Sequence, residues 1–467
     1  MVSQKMFQID YNTPAKFHFI GIGGISMSGF AELLNSRGFA ITGSDAHESD
    51  ITKHLESLGI PVQYGQRASN IPDDADLVVY TAAIADDNPE LMEARRRGIP
   101  TMVRAEMIGQ IMKNYSNAIA VSGTHGKTTT TSLLTHIFLA ASLDPTVSVG
   151  GILDAIQGNI RIGESPNWIM EACEYTNSFL QFFPTTAIIL NIEEDHMDFF
   201  KDINDIRASF TAFANLLPEN GLLVINRDID NFEEIAANVS CKVLTYSMTD
   251  KNADFYCDNV SYNAAGCGSF DLYVNGEYAD SYELSVVGEH NISNSLAALC
   301  VAYDQNIDKA AIRQGLLNCH GADRRFQKKG VVNGINIIDD YAHHPSEIKA
   351  TLKAAANYPH KNLWCVFQPH TYTRTKVFLK DFADALSHAD KVIVTDIYAA
   401  REKDPGDISS KDLHNELVKL GVESYYISSF EEIKKFILKN CINGDLLITM
   451  GAGDVVSVGD DLVSGSY

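Results

Sequence analysis

Short apolar runs alternate with helically spaced segments along most of the chain. Lys16–Ile20 reads as a buried strand, and Met27–Ser36 carries apolar residues at helical intervals. Phe39–Ser44 and Leu77–Thr81 are two further β-prone runs, and this first unit closes near Met112. Ala118–Ser122, Trp168–Glu171, Ala187–Leu190 and Leu222–Ile225 repeat the pattern, with helical stretches between them. Strands alternating with helices predict a parallel, helix-covered sheet. The texture changes over residues 241–287, where FDLYVNGEY carries a hairpin signal and Asn275-Gly276 suits a type I′ turn. A small antiparallel sheet is expected there, followed by a helix from Asn291 to Tyr303. A third unit begins near Asp323. Its predicted strands are Ile335–Ile338, Leu363–Phe367, Val392–Thr395 and Leu446–Met450, and its predicted helices are Thr375–Leu386, Ser410–Leu420 and Phe430–Leu438. The expected architecture is three α/β domains in series, residues 1–112, 113–322 and 323–467, with ligands in the clefts between them.

Composition narrows the function classes. The chain has 467 residues and a formal charge of -23. So acidic a protein is not a non-specific nucleic-acid binder, although basic groups gathered locally still admit small anions. No apolar run approaches the ~20 residues of a membrane span. The opening MVSQKMFQIDYN lacks a signal-peptide core, and the eight cysteines are scattered without a C-x-x-C pair. These features predict a cytoplasmic protein with reduced thiols and neither a membrane nor a nucleic-acid partner.

Two glycine-rich turns carry the chemistry. The first, FHFIGIGGISMSGF, places Gly21, Gly23 and Ser26 where the dinucleotide fingerprint G-x-G-x-x-G/A would have its small residues. The third glycine is missing, and an NAD-dependent oxidoreductase is one reading of this stretch alone. The second turn is AIAVSGTHGKTTTTSLL. A strand enters a turn at Gly123, and Gly126-Lys127-Thr128 opens a helix. Glycines let backbone N–H groups approach phosphate oxygens, and the helix N-terminus adds positive potential. Lysine reaches the terminal phosphates, and the threonine hydroxyl can ligate Mg²⁺. The spacing G-x-x-G-K-T is shorter than the generic phosphate loop. Downstream, WIMEACEY sets Glu171 at a strand end, and AIILNIEEDHMDFF sets Asp195 and His196 just past another. Carboxylates at the ends of parallel strands suit Mg²⁺.

GTHGKTTT, EACEY, NIEEDHMD, GEHNISNSLAA, DRRFQ, DDYAHHPSEI and FQPHTYTRT occur in this order. Together they resemble the Mur ligases, and within them the alanine-adding branch. The resemblance runs from HFIGIGGISMSG to the C-terminal MGAGD. It implies a Rossmann-like N-terminal domain that binds a UDP-sugar, a central ATPase domain and a Rossmann-like C-terminal domain. It also implies ATP-dependent joining of L-alanine to UDP-N-acetylmuramate through an acyl phosphate and a tetrahedral intermediate, in peptidoglycan precursor synthesis. The substrates expected are UDP-N-acetylmuramate, L-alanine and ATP, with Mg²⁺ as cofactor and a monomer or homodimer as the working form.

The resemblance also carries residue roles. Gly123, Thr124, His125, Gly126, Lys127, Thr128 and Thr129 are expected to cradle ATP. Asn291 would contact the adenine, Arg325 the phosphates and Asp340 the ribose. Thr128, Glu171 and His196 would hold Mg²⁺, with Glu174 in support. Gly21, Gly23, Gly24 and Ser26 would line the UDP diphosphate, with Ser44, Asp45 and Thr81 beside it. Tyr341, His343, His344, His370 and Arg374 would lie near the amino acid. Lys127, Glu171, His196, His343 and Arg374 are the expected catalytic set. The carbamylated lysine of many relatives is missing, since no lysine occurs between Lys201 and Lys242. Thr371 follows His370 where some relatives have arginine, which places more of the carboxylate binding on Arg374. Two other readings keep the fold: a ligase attaching a preformed tripeptide to the same UDP-sugar, and a nucleotide sensor without ligase chemistry.

Overall fold

The computed structural model describes residues 7–400 and 402–466; residues 1–6, the start of the polar N-terminal stretch, lie outside the described residues. Three sheets organise the chain. The first is parallel throughout, in the spatial order Val62–Tyr64, Ala40–Asp45, Lys16–Ile20, Leu77–Tyr80, Thr101–Val103. The strand order reverses direction at Lys16–Ile20, and ligands of open α/β sheets settle beyond the strand ends at such a point. The turn at Gly21 leaves that strand end.

The second sheet has ten strands. Asn117–Ser122 lies near its middle, flanked by Thr186–Ile189 and Asn167–Glu171, both parallel to it. The antiparallel strands Phe255–Tyr262, Cys267–Val274 and Glu277–Val287 are present, and they extend this same sheet. The join is a short parallel pairing of Tyr246 with Phe255 and Ser247 with Tyr256. Asn275 and Gly276 have φ of 51° and 81°, the two positive values a type I′ turn requires. The helix Glu289–Asp304 covers one face and buries Ile292, Leu296 and Leu299 beside the loop helix Lys127–Ala140.

The third sheet runs Gln327–Val332, Ile335–Asp340, Leu446–Met450, Leu363–Phe367, Lys391–Val394, Glu423–Tyr426. Its two edge strands, QKKGVV and ESYY, carry no apolar run because no residue of theirs is fully buried. The helix expected over Thr375–Leu386 is two helices, Tyr372–Val377 and Leu379–Leu386, broken at Phe378. The break turns the first short helix, and with it Arg374, toward the central domain.

The apolar cores are distributed unequally. One cluster runs continuously from the first sheet into the second. Phe30 meets Trp168 edge-on at 6.1 Å, and Tyr115 lies 5.0 Å from the same indole. The third sheet has its own clusters, which stop at its own elements. The first contact between N-terminal and central domains is tight at Gly109, where an added Cβ would lie 1.9 Å from the Gln181 carbonyl oxygen. Gly109→Ala should therefore lower stability by about 3 kcal/mol, as overpacking does. Urea unfolding followed by fluorescence checks this, and a loss below about 0.5 kcal/mol would contradict the packing.

Candidate functional site

The phosphate loop is shaped by exclusion of side chains. Gly123 has φ of 140° and Gly126 has φ of 85°, values that strongly favour glycine. Space forbids more as well: a Cβ on Gly126 would lie 2.4 Å from Asn294 Oδ1. Asn191 pins the loop from both sides, accepting from the His125 amide at 2.7 Å and donating to the His125 carbonyl at 3.0 Å. The helix then starts at Lys127 with no side-chain cap, leaving its first N–H groups open to an anion.

Lys127 Nζ donates to the Gly123 and Thr124 carbonyls at 2.5 and 3.1 Å and pairs with Glu174 at 3.0 Å. Burial opposes its charge, but the Glu174 carboxylate outweighs burial and raises its pKa. Glu171 accepts the Gly150 amide at 2.6 Å. A Cβ on the next residue, Gly151, would lie 3.5 Å from the Thr128 methyl group. Glu171 and Thr128 thus both approach the Gly150-Gly151 segment. His196 takes φ of 53°, its amide held by the Asp195 carboxylate at 2.7 Å and its ring on Tyr175 at 4.5 Å. Its Nε2 stands 3.7 Å from Glu174. Burial lowers its pKa and keeps the ring neutral.

The C-terminal domain closes over this loop through polar contacts. Arg374 donates to Asp195 at 2.7 Å and meets His370 at 3.2 Å. Burial would raise the Asp195 pKa, yet the Arg374 guanidinium, close and hydrogen-bonded to it, holds it well below the usual range. Ser346 donates to Glu193 at 2.5 Å. His125 stands between Glu193 at 3.5 Å and Glu347 at 3.4 Å, joining both domains. Burial disfavours its charge, but these two carboxylates prevail and raise its pKa to about 9.

Two cavities result. The larger, about 280 Å³, runs from Gly126, Thr128 and Thr129 past Asn291 to Arg325 and Asp340. The smaller, about 150 Å³, is lined by His196, Asp195, His343, His370 and Arg374. Burial pushes the Asp340 pKa up to about 6, partly offset by Arg325, while two backbone amides, of Phe326 and Ala342, donate to its carboxylate. Burial also brings the His343 pKa down to about 4.

Several expected residues are placed otherwise. His344 lies outside the smaller cavity. Its Nδ1 caps the helix Pro345–Ala356 at Ser346, and its Nε2 meets the Glu194 carbonyl at 3.0 Å, so both ring nitrogens are occupied. Tyr341 also lies outside it, beneath the guanidinium groups of Arg324 and Arg325 at 4.9 and 5.5 Å. Asn291 lines the larger cavity, its side-chain amide donating to the Val287 carbonyl of the preceding strand and accepting from Asn294. In the N-terminal domain, Gly21, Gly23, Gly24 and Ser26 form the turn into the helix Ile25–Ser36, and Thr81 borders Gly21. Ser44 is fully buried and donates to Glu90 at 2.6 Å, beneath the turn and away from its mouth. Its carbonyl accepts the Gly21 and Ile22 amides. Asp45 braces the turn by accepting the Gly23 amide at 2.8 Å. A residue at the end of a neighbouring strand can support a glycine turn as easily as it can line the ligand. Nothing in the sequence marks Glu193 and Glu347 as partners of His125, since Glu347 stands in DDYAHHPSEI as an ordinary first-turn helix acid.

Three family models cover most of the chain: the "Mur ligase family, catalytic domain" over residues 16–116, the "Mur ligase middle domain" over 121–302 and the "Mur ligase, glutamate ligase domain" over 324–453. The chain belongs to the Mur ligase family. It is 57% identical to the UDP-N-acetylmuramate–L-alanine ligase of Lachnoclostridium phytofermentans, covering 98% of this chain and all of that protein. It is 50% identical to the ligase of the same name from Acetivibrio thermocellus over 97% of each chain. The crystal structure of a UDP-N-acetylmuramate-alanine ligase from Thermotoga maritima superposes with a TM-score of 0.79 at 29% identity, covering 97% of this chain and 99% of that one. The murein peptide ligase of Psychrobacter arcticus shares the fold, with a TM-score of 0.68 at 24% identity over 97% and 98% of the two chains.

In this Mur ligase the imidazolium of His125 ties the central and C-terminal domains together. Its pKa is raised to about 9 by Glu193 of its own domain and Glu347 of the C-terminal domain, and the Glu347 share exists only while the two domains touch, so their contact gains support at low pH that is lost as pH rises through about 9. Small-angle scattering of the ligand-free enzyme should show expansion across that rise. His125→Gln should be expanded at pH 7 and insensitive over the same range.

Proposed function

We propose that this enzyme joins L-alanine to UDP-N-acetylmuramate with conversion of ATP to ADP and phosphate, a cytoplasmic step of peptidoglycan precursor synthesis carried out by a monomer or homodimer. Full-length identity of 50–57% to ligases of that name supports the reaction. The observation that carries the substrate choice is the smaller cavity, about 150 Å³ between His196 and Arg374. A single small amino acid suits that space better than a tripeptide does.

The sugar carboxylate must approach a polyphosphate. Two unit charges at ~4 Å repel by about 4 kcal/mol at an effective dielectric of ~20. Lys127 meets this by exchanging its Glu174 partner for the phosphate oxygens, with the open N–H groups of its helix beside it. ATP lies in the larger cavity, its phosphates on Gly123–Thr129 and its base and ribose toward Asn291 and Asp340, with Arg325 above. Thr128 and Glu171, hard oxygen donors that both approach Gly150-Gly151, would suit Mg²⁺, and His196 would serve a second ion. A bound divalent ion would supply charge neutralisation to the phosphate chain. Gly21, Gly23, Gly24 and Ser26 receive the UDP diphosphate at a helix N-terminus.

In the smaller cavity Arg374 offers a planar fork to the amino-acid carboxylate and is aimed there by Asp195. His343 is neutral at pH 7 and can accept the proton lost by the attacking ammonium. Its Nδ1 is oriented by the Tyr341 carbonyl at 3.0 Å.

Lys127→Ala should lower turnover by about 10²–10³-fold, as loss of a charge-stabilising group does, while calorimetric affinity for UDP-N-acetylmuramate stays within a few-fold. Retention of most turnover would refute the phosphate-loop assignment. In a phosphate-release assay with UDP-N-acetylmuramate fixed, L-alanine should exceed glycine by roughly 10–200-fold in kcat/KM. Release with L-Ala-D-Glu-diaminopimelate but not with L-alanine would overturn the proposed substrate.

A further inference from the structure

A donor set of a different character lies beside the oxygen-lined Thr128–Glu171 position. Cys173 Sγ, a Glu174 carboxylate oxygen and a His196 ring nitrogen all fall within 4.8 Å of one another. The three come from two loops. Cys173 and Glu174 follow the strand Asn167–Glu171, and His196 arrives from the loop beyond Thr186–Ile189. His196 is held in place by its left-handed backbone, by Asp195 and by the ring of Tyr175. Cys173 is solvent-exposed, which provides an entry path for an ion.

Sulfur, imidazole and carboxylate together do not match Mg²⁺, which takes oxygen ligands. They match a thiophilic divalent cation, for which thiolate and imidazole are the preferred donors. Three protein ligands with water in a fourth position is a common zinc arrangement.

We propose that Cys173, Glu174 and His196 form a site for a thiophilic divalent cation of the Zn²⁺ class, and that its occupation blocks ligation. On binding, the Cys173 thiol loses its proton to solvent and an S–Zn bond forms; no electron is transferred. The ion draws Glu174 away from Lys127, whose Nζ lies 3.0 Å from that carboxylate, and takes the imidazole of His196. The cation also places a second positive charge beside the lysine that must reach ATP. The binding part of this inference stands on the donor geometry alone; the inhibition part rests on the proposed ligase reaction.

The test has two arms. Purified full-length enzyme is loaded with Co²⁺ alone and its near-ultraviolet spectrum recorded. A thiolate-to-cobalt charge-transfer band is expected, and it should be missing in Cys173→Ser. Separately, phosphate release with L-alanine, UDP-N-acetylmuramate, ATP and excess Mg²⁺ is titrated with ZnCl₂. Wild type should be inhibited, and Cys173→Ser should need at least about tenfold more Zn²⁺ while keeping wild-type turnover in Mg²⁺. A missing cobalt–thiolate band overturns the site. Equal Zn²⁺ sensitivity of the two proteins overturns the regulatory role. Lack of L-alanine-dependent turnover in zinc-free wild type would instead contradict the ligase reading and leave the spectral arm to decide the site.

Discussion

Charge pairing in a small volume is the constraint on which this structure depends. The chain carries a formal charge of -23, yet Lys127, His125, Arg325 and Arg374 converge around one loop. Each cation is met by a carboxylate from another segment: Glu174 for Lys127, Glu193 and Glu347 for His125, Glu347 again for Arg325, and Asp195 for Arg374. Unpaired charges at such depth would cost several kcal/mol each. Pairing makes the cluster tolerable without substrate and leaves cations ready to exchange carboxylate partners for phosphate. A catalyst for joining two anions needs that arrangement, because its cations must be present before the anions arrive.

The same pairing explains how the three domains are held. The N-terminal and central domains share a continuous apolar core through Phe30, Tyr115 and Trp168. Their relative position is therefore set by burial, which is non-directional and insensitive to pH. The C-terminal domain meets the loop through Arg374–Asp195, Ser346–Glu193 and His125–Glu347. These contacts are electrostatic and can be exchanged singly. The larger cavity lies across this separable boundary, so a nucleotide bound there would touch both sides.

Glu174 occupies a central place in this economy of charge. It is almost fully buried, pairs with Lys127 and stands near His196 and Cys173. It is therefore the carboxylate shared by Lys127, His196 and Cys173 at the end of the phosphate loop. The thiol next to it adds a chemical property that charge pairing alone does not require.

The sequence by itself determined the parallel strands, the two glycine turns and the family. Strand cores such as Leu363–Phe367 are wholly apolar, and the φ values of Gly123 and Gly126 strongly favour glycine, so local physics and residue type coincide there. It did not reveal the edge strands Gln327–Val332 and Glu423–Tyr426, whose residues are half exposed and whose pairing comes from neighbours far along the chain. Only the tertiary structure decided which polar residues face the cavities. His344 and His343 are adjacent in sequence, yet one caps a helix and the other lines the smaller cavity. Ser44 and Asp45 end the same strand, yet one is buried against Glu90 and the other braces Gly23. The physical reason is that a polar side chain takes the nearest satisfying partner, and that partner is supplied by another segment folded against it.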